Sequence, residues 1–66
     1  MNVIINGAPS TLQEGTTVSA LLADLSLPAD GVAVAINLHV VPRGQHAERV
    51  IVEGEKIEII RAVGGG

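Results

Sequence analysis

The sequence predicts an α+β fold, a mixed four- to five-stranded sheet with one main helix packed across one face. Three observations carry this expectation. Apolar residues make up 47% of the chain and include no Phe, Trp or Tyr, so the core must be built from Val, Ile, Leu and Ala, whose β-branched share favours strands. Val18, Leu21, Leu22 and Leu25 stand at i, i+3, i+4 and i+7, which places them on one side of a helix. Short apolar runs bounded by Gly, Pro, Asn and Asp lie before and after that stripe, the pattern of strands joined by turns.

Met1 to Asn6 is a β-branched run closed by Asn6-Gly7, a dipeptide that accepts positive φ and favours a tight hairpin. A second short strand is expected at about Ser10 to Gln13. Glu14-Gly15 breaks it, and Thr16 or Thr17 offers a side-chain oxygen to the first free amides of the helix. Ser19, Ala23 and Asp24 are expected toward water. Leu27-Pro28 stops the helix in this reading, because the proline ring disfavours helical geometry at the preceding residue. Asp30-Gly31 then turns the chain into a strand at Val32 to Ile36.

Asn37-Leu38-His39 reads as the turn into the pair Val40-Val41, and Pro42 ends regular pairing. Gln45 to Arg49 carries no clear pattern, and Val50 to Val52 extends briefly. Glu53-Gly54-Glu55 reverses the chain into a last strand, Lys56 to Val63, where Ile57, Ile59, Ile60 and Val63 are apolar and Glu58 interrupts. The order strand, strand, helix, strand, short strand, strand is that of a β-grasp domain. Burying the helix then requires the first and last strands side by side and parallel at the centre, with a right-handed crossover. Residues 1–63 form this domain and residues 64–66 a flexible C-terminal glycine tail.

Composition excludes several functions. With 66 residues there is room for one small core and no deep cleft, so chemistry belongs at the surface or in a partner. The absence of cysteine removes disulfides, zinc ribbons and thiol nucleophiles and fits a reducing compartment. A formal net charge of −3, with Arg43, Arg49, Lys56 and Arg61 scattered, argues against nucleic acid, whose affinity comes from clustered cations. The N-terminus lacks a cationic region and a long apolar run, so neither a signal peptide nor a membrane span is expected and the cytoplasm is the expected location.

Gly64-Gly65-Gly66 directly follows the expected central strand. Glycine lacks a Cβ, so such an arm passes through channels closed to other residues, and the Gly66 carboxylate is sterically open. That carboxylate is a poor electrophile until an enzyme converts it to an acyl phosphate or acyl adenylate. Ordering each arm residue in a partner costs about 1 to 2 kcal/mol, so the globular surface must supply the docking energy. A mean hydropathy of +0.46 is high for so short a chain and suggests an exposed apolar face, for which Ile60, Ala62 and the Val40-Val41 pair are candidates. Arg43 is a candidate contact for an acidic partner surface and Arg61 for steering the arm to an acidic or phosphate-bearing site, with solvated charge the other reading of each. Glu53, Glu55 and Glu58 read as charges facing a basic patch or water. His39 and His46 lack a third ligand and any zinc spacing, so they read as loop residues and no metal is expected.

The segments Val34 to Arg43, Glu53 to Ile59 and Arg61 to Gly66 resemble those of the thiamin-biosynthesis sulfur carriers, the ThiS family of ubiquitin-like β-grasp proteins, and the resemblance runs the whole length of the chain. It implies a protein co-substrate rather than an enzyme, with no catalytic residue and no bound cofactor. An adenylating enzyme would use ATP to turn the Gly66 carboxylate into an acyl adenylate, a sulfur donor protein would convert that to a thiocarboxylate, and thiazole synthase would take the sulfur. Gly64 and Gly65 would be recognised as the tail, and Ile60, Arg61, Ala62, Val63 and Arg43 would be partner contacts. The lack of cysteine agrees, since no persulfide can form on the chain. His46 departs from the aromatic residue of some members, which bears on local packing. The small subunit of molybdopterin synthase is similar in fold and tail but longer and richer in aromatics near its end. A ubiquitin-like modifier and an interaction domain with an inert tail are the other readings of the same pattern.

Overall fold

The computed structural model describes residues 1–28 and 30–61. Its elements are strands β1 (Asn2–Ile5) and β2 (Ala8–Thr11), helix α1 (Val18–Asp24), strands β3 (Val32–Ile36) and β4 (His39–Val41), a 3₁₀ turn at Arg43–Gln45, and strand β5 (Lys56–Arg61). They build one five-stranded sheet in the order β2-β1-β5-β3-β4. β1 and β5 are parallel, and the other neighbouring pairs are antiparallel. The expected β-grasp order and its parallel first and last strands are borne out.

Asn6 and Gly7, at φ 49° and 80°, make the two-residue turn that their positive-φ tolerance predicts. Pairing resumes at once, Ala8 opposite Ile5, so β2 begins two residues before the expected Ser10. Met1 and Leu12 exchange both backbone bonds, and alternation from that pair makes Pro9, opposite Ile4, a position that donates nothing to the ladder. On an edge strand a proline is tolerated there.

Thr17 caps α1, its Oγ1 accepting from the Ala20 amide at 3.1 Å. The helix ends earlier than Leu27-Pro28. Ser26 takes φ 58°, its amide donates to Ala23, and the Leu27 amide donates to Leu22. This is a Schellman closure with serine where glycine is usual. The closure moves Leu25 off the helical stripe to 45% exposure, while Leu27 packs on the core in its place.

Val18, Leu21 and Leu22 pack with Val3, Val34, Ile36, Val41, Ile51, Ile57 and Ile59 in one cluster. Alternation along the strands puts Val3, Val34, Val41 and Ile59 under the helix and turns Ile4, Ala33, Ala35, Val40, Glu58 and Ile60 to the opposite face. His39 pairs with Ile36, so the turn before it is Asn37-Leu38 alone and β4 starts one residue sooner than expected. Val50 to Val52 contributes only an isolated bridge, Thr17 to Val50, with Ile51 inserted in the core. The expected end of the last strand, at Val63, lies outside the described residues. Among the described residues no helix is long and apolar enough to cross a membrane.

Candidate functional site

β5 is the platform for the chain's end. It is bonded on both sides, parallel to β1 through Ile57 opposite Ile5 and antiparallel to β3 from Ile57 opposite Ile36 to Arg61 opposite Val32. The Asn6 turn adds two clamps, its amide donating to the Ile57 carbonyl and its Oδ1 accepting from the Ile59 amide, both at 2.8 Å. Arg61, the last described residue, is therefore held in the middle of the sheet. Of the sequence-predicted site residues, Gly64, Gly65 and Gly66 with Ala62 and Val63 lie outside the described residues. Ile60 and Arg61 are exposed and lead directly into them.

The face away from the helix carries the apolar surface that the hydropathy suggested. Ile60 is 60% exposed opposite Ala33, and Val40 is 73% exposed opposite Ala35. Val41 does not belong to it. Its side chain points to the helix and is buried, because successive residues of a strand face opposite ways. Lys56 and Glu58 are the charged residues of β5 on that face. Arg43 is exposed but forms an ion pair with Asp30, so a partner's carboxylate would have to compete for it.

His46, read as a loop residue, and Glu55, read as facing a basic patch or water, belong instead to the interior. His46 is 3% exposed, and its Nε2–H donates to the Val41 carbonyl at 3.1 Å. Its carbonyl accepts from the Ser19 amide at 2.9 Å. The loop after Pro42 is thereby tied both to β4 and to the first turn of α1. Glu55 is 7% exposed. Its carboxylate accepts from Arg49 at 2.7 and 3.3 Å and from the Val52 amide at 2.8 Å. Arg49 also donates to the Val50 carbonyl. No periodic signal marks either residue. The buried carboxylate depends on an arginine six positions upstream, which a strand or helix template does not pair with it.

Burial pushes the Glu55 carboxyl up, but the Arg49 and Val52 hydrogen bonds and the Arg49 charge outweigh it, so the group titrates below the ordinary glutamate range. The unfolded chain then binds more protons in that interval, and stability rises with pH across it. The contribution is in place above the ordinary glutamate range and is lost as pH falls through the lowered folded value. Glu55→Gln is expected to cost about 1 to 2 kcal/mol at neutral pH, since it leaves Arg49 without its countercharge. The gap to the parent chain should close on acidification. Thermal melts across the acid range check this, and a gap independent of pH would assign the loss to packing.

Among the described residues no group of three or more His, Asp or Glu side chains gathers as a metal site would require. A model of the ThiS family matches residues 3–66. The chain is 38% identical over 66 residues to a thiazole synthase of Paramagnetospirillum magneticum, a match that covers all of this chain and 20% of that protein. It is 33% identical to the sulfur carrier protein ThiS of Escherichia coli, with all of both chains covered. The crystal structure of the thiamine biosynthesis protein ThiS from Geobacter metallireducens superposes with a TM-score of 0.86 at 33% identity, again over all of both chains.

Proposed function

We propose, from the premise that this chain belongs to the ThiS family, that it is a sulfur carrier for thiamin biosynthesis whose working group is the Gly66 carboxylate. The observation that carries the reading is the end-to-end similarity to the Escherichia coli carrier, with Gly64-Gly65-Gly66 following a strand held on both sides. In this reading an adenylating enzyme uses ATP: the carboxylate oxygen attacks the α-phosphorus and pyrophosphate leaves. A sulfur donor protein then places sulfur on the acyl carbon, AMP departs, and the thiocarboxylate passes its sulfur to thiazole synthase. The chain catalyses none of these steps. It supplies an unhindered acyl end and a rigid body that partners recognise, and it works in the cytoplasm, where the donor's thiols stay reduced.

Docking must come from the body, because ordering the tail opposes binding. Ile60 and Val40 supply apolar area beside the end of β5, and Arg61 adds a charge at its last described position. Intact-mass measurement after incubation with the adenylating enzyme, ATP and a sulfide source is expected to show one sulfur-for-oxygen exchange, and fragmentation should place it on Gly66. No exchange with an enzyme that forms the adenylate would sink the carrier reading. Recovery of Gly66 in isopeptide linkage to other proteins would favour a modifier.

A further inference from the structure

Two hairpin turns border β5 and are built alike. Asn6-Gly7 joins β1 to β2 with φ 49° and 80°, and Asn37-Leu38 joins β3 to β4 with φ 50° and 70°. In each, the asparagine grips β5: Asn37 donates its amide to the Lys56 carbonyl at 2.8 Å and accepts from the Lys56 amide at 3.0 Å through Oδ1. The second turn position is where the two differ. Glycine meets a positive φ without strain, whereas a leucine there crowds its Cβ against the backbone. Leu38 gains nothing visible in return, since it stands outside the core cluster and is 86% exposed.

A strained, clamped and solvent-facing leucine disadvantages the isolated chain, and such outliers point to a use outside it. We propose that Leu38 is a preformed anchor that inserts into an apolar pocket of thiazole synthase. The inference rests on the carrier reading above. The occupant is chosen because a segment similar to this whole chain makes up 20% of the Paramagnetospirillum magneticum thiazole synthase, so in that protein a much larger body is joined to the unit. β5 runs from the Asn37-Leu38 end to Arg61, about 20 Å of strand. A standard interface of roughly 800 Å² per partner spans more than that. One partner can therefore hold Leu38 and receive the residues after Arg61 at once, covering Val40 and Ile60 between them. Because the Asn37 bonds fix the turn beforehand, little ordering cost falls on binding.

The test uses the full chain with Leu38→Gly and Leu38→Asn, which both relax a positive φ and remove the apolar side chain. Melting midpoints are expected to rise by about 3 °C, while the dissociation constant for separately purified thiazole synthase from the same organism weakens roughly tenfold or more. Leu25→Ala, an exposed leucine at the end of α1, should leave that constant unchanged. Binding unaltered in both Leu38 variants would overturn the anchor and leave the carrier reading standing. Lowered midpoints would remove strain as its ground. A parent chain that dimerises through Leu38 would assign the residue to a second copy and overturn the proposal. A parent chain that fails to bind the synthase while still accepting sulfur would also overturn it, whereas a chain that does neither would take the carrier reading down with it.

Discussion

A chain extended by a single residue past Gly66 is expected to lose thiocarboxylate formation by roughly a hundredfold or more, with no change in its melting midpoint. The added residue moves the terminal carbon by about 3.5 Å and, unless it is glycine, adds a Cβ to an arm that on the carrier reading enters its partner as glycine alone. An activated acyl group tolerates little misplacement, because in-line attack needs the reacting atoms within about 3.5 Å. The body, by contrast, should hold its stability, since among the described residues the buried core cluster spans residues 3–59. Intact mass after reaction with the adenylating enzyme reads the first effect and a thermal melt the second. A glycine extension and an alanine extension separate length from side chain. Equal loss in both makes position decisive, and a glycine extension that reacts normally would mean that the distance of the acyl end from the body does not decide whether sulfur is loaded.

What could be read beforehand divides by the range of the interactions involved. The Asn6-Gly7 hairpin, a threonine cap at 16 or 17 and the Val32–Ile36 strand each depend on residues within a few positions, and each was legible, with the structure choosing Thr17 for the cap. The end of α1 was not. It needs a residue at positive φ, and Ser26 adopts that state without the glycine that would announce it. His39 was read as part of the turn with Asn37 and Leu38, yet a two-residue turn before it leaves it opposite Ile36. Glu55 and His46 are polar residues buried by partners elsewhere in the chain, Arg49 for one and Val41 for the other. A single sequence carries no pattern for such pairs. The apolar outer face was visible only as excess hydropathy, and Val41 was misassigned because adjacent valines look alike until strand register sets which way each points.

Register also decides the second large effect, the expected cost of about 3 to 4 kcal/mol for Ile57→Ala. Ile57 is 1% exposed, lies opposite both Ile5 and Ile36, and packs beneath α1 in the common cluster. Truncation opens a cavity that neighbours clamped in three adjacent strands cannot collapse to fill. A domain of 66 residues has a total stability of roughly 3 to 10 kcal/mol, and this one contains no cysteine to hold it together by a disulfide. The melting midpoint should therefore fall by about 15 to 25 °C, leaving much of the variant unfolded at growth temperature. Ile60→Ala supplies the control. It sits on the same strand and gives up the same β-propensity, yet it is 60% exposed on the outer face, so its cost should stay under about 1 kcal/mol. Propensity alone predicts equal losses at the two sites, and burial predicts the large inequality. Should urea melts show the two variants equally destabilised, the division of β5 into a core side and a partner side would be wrong, and the docking role given to Ile60 would go with it.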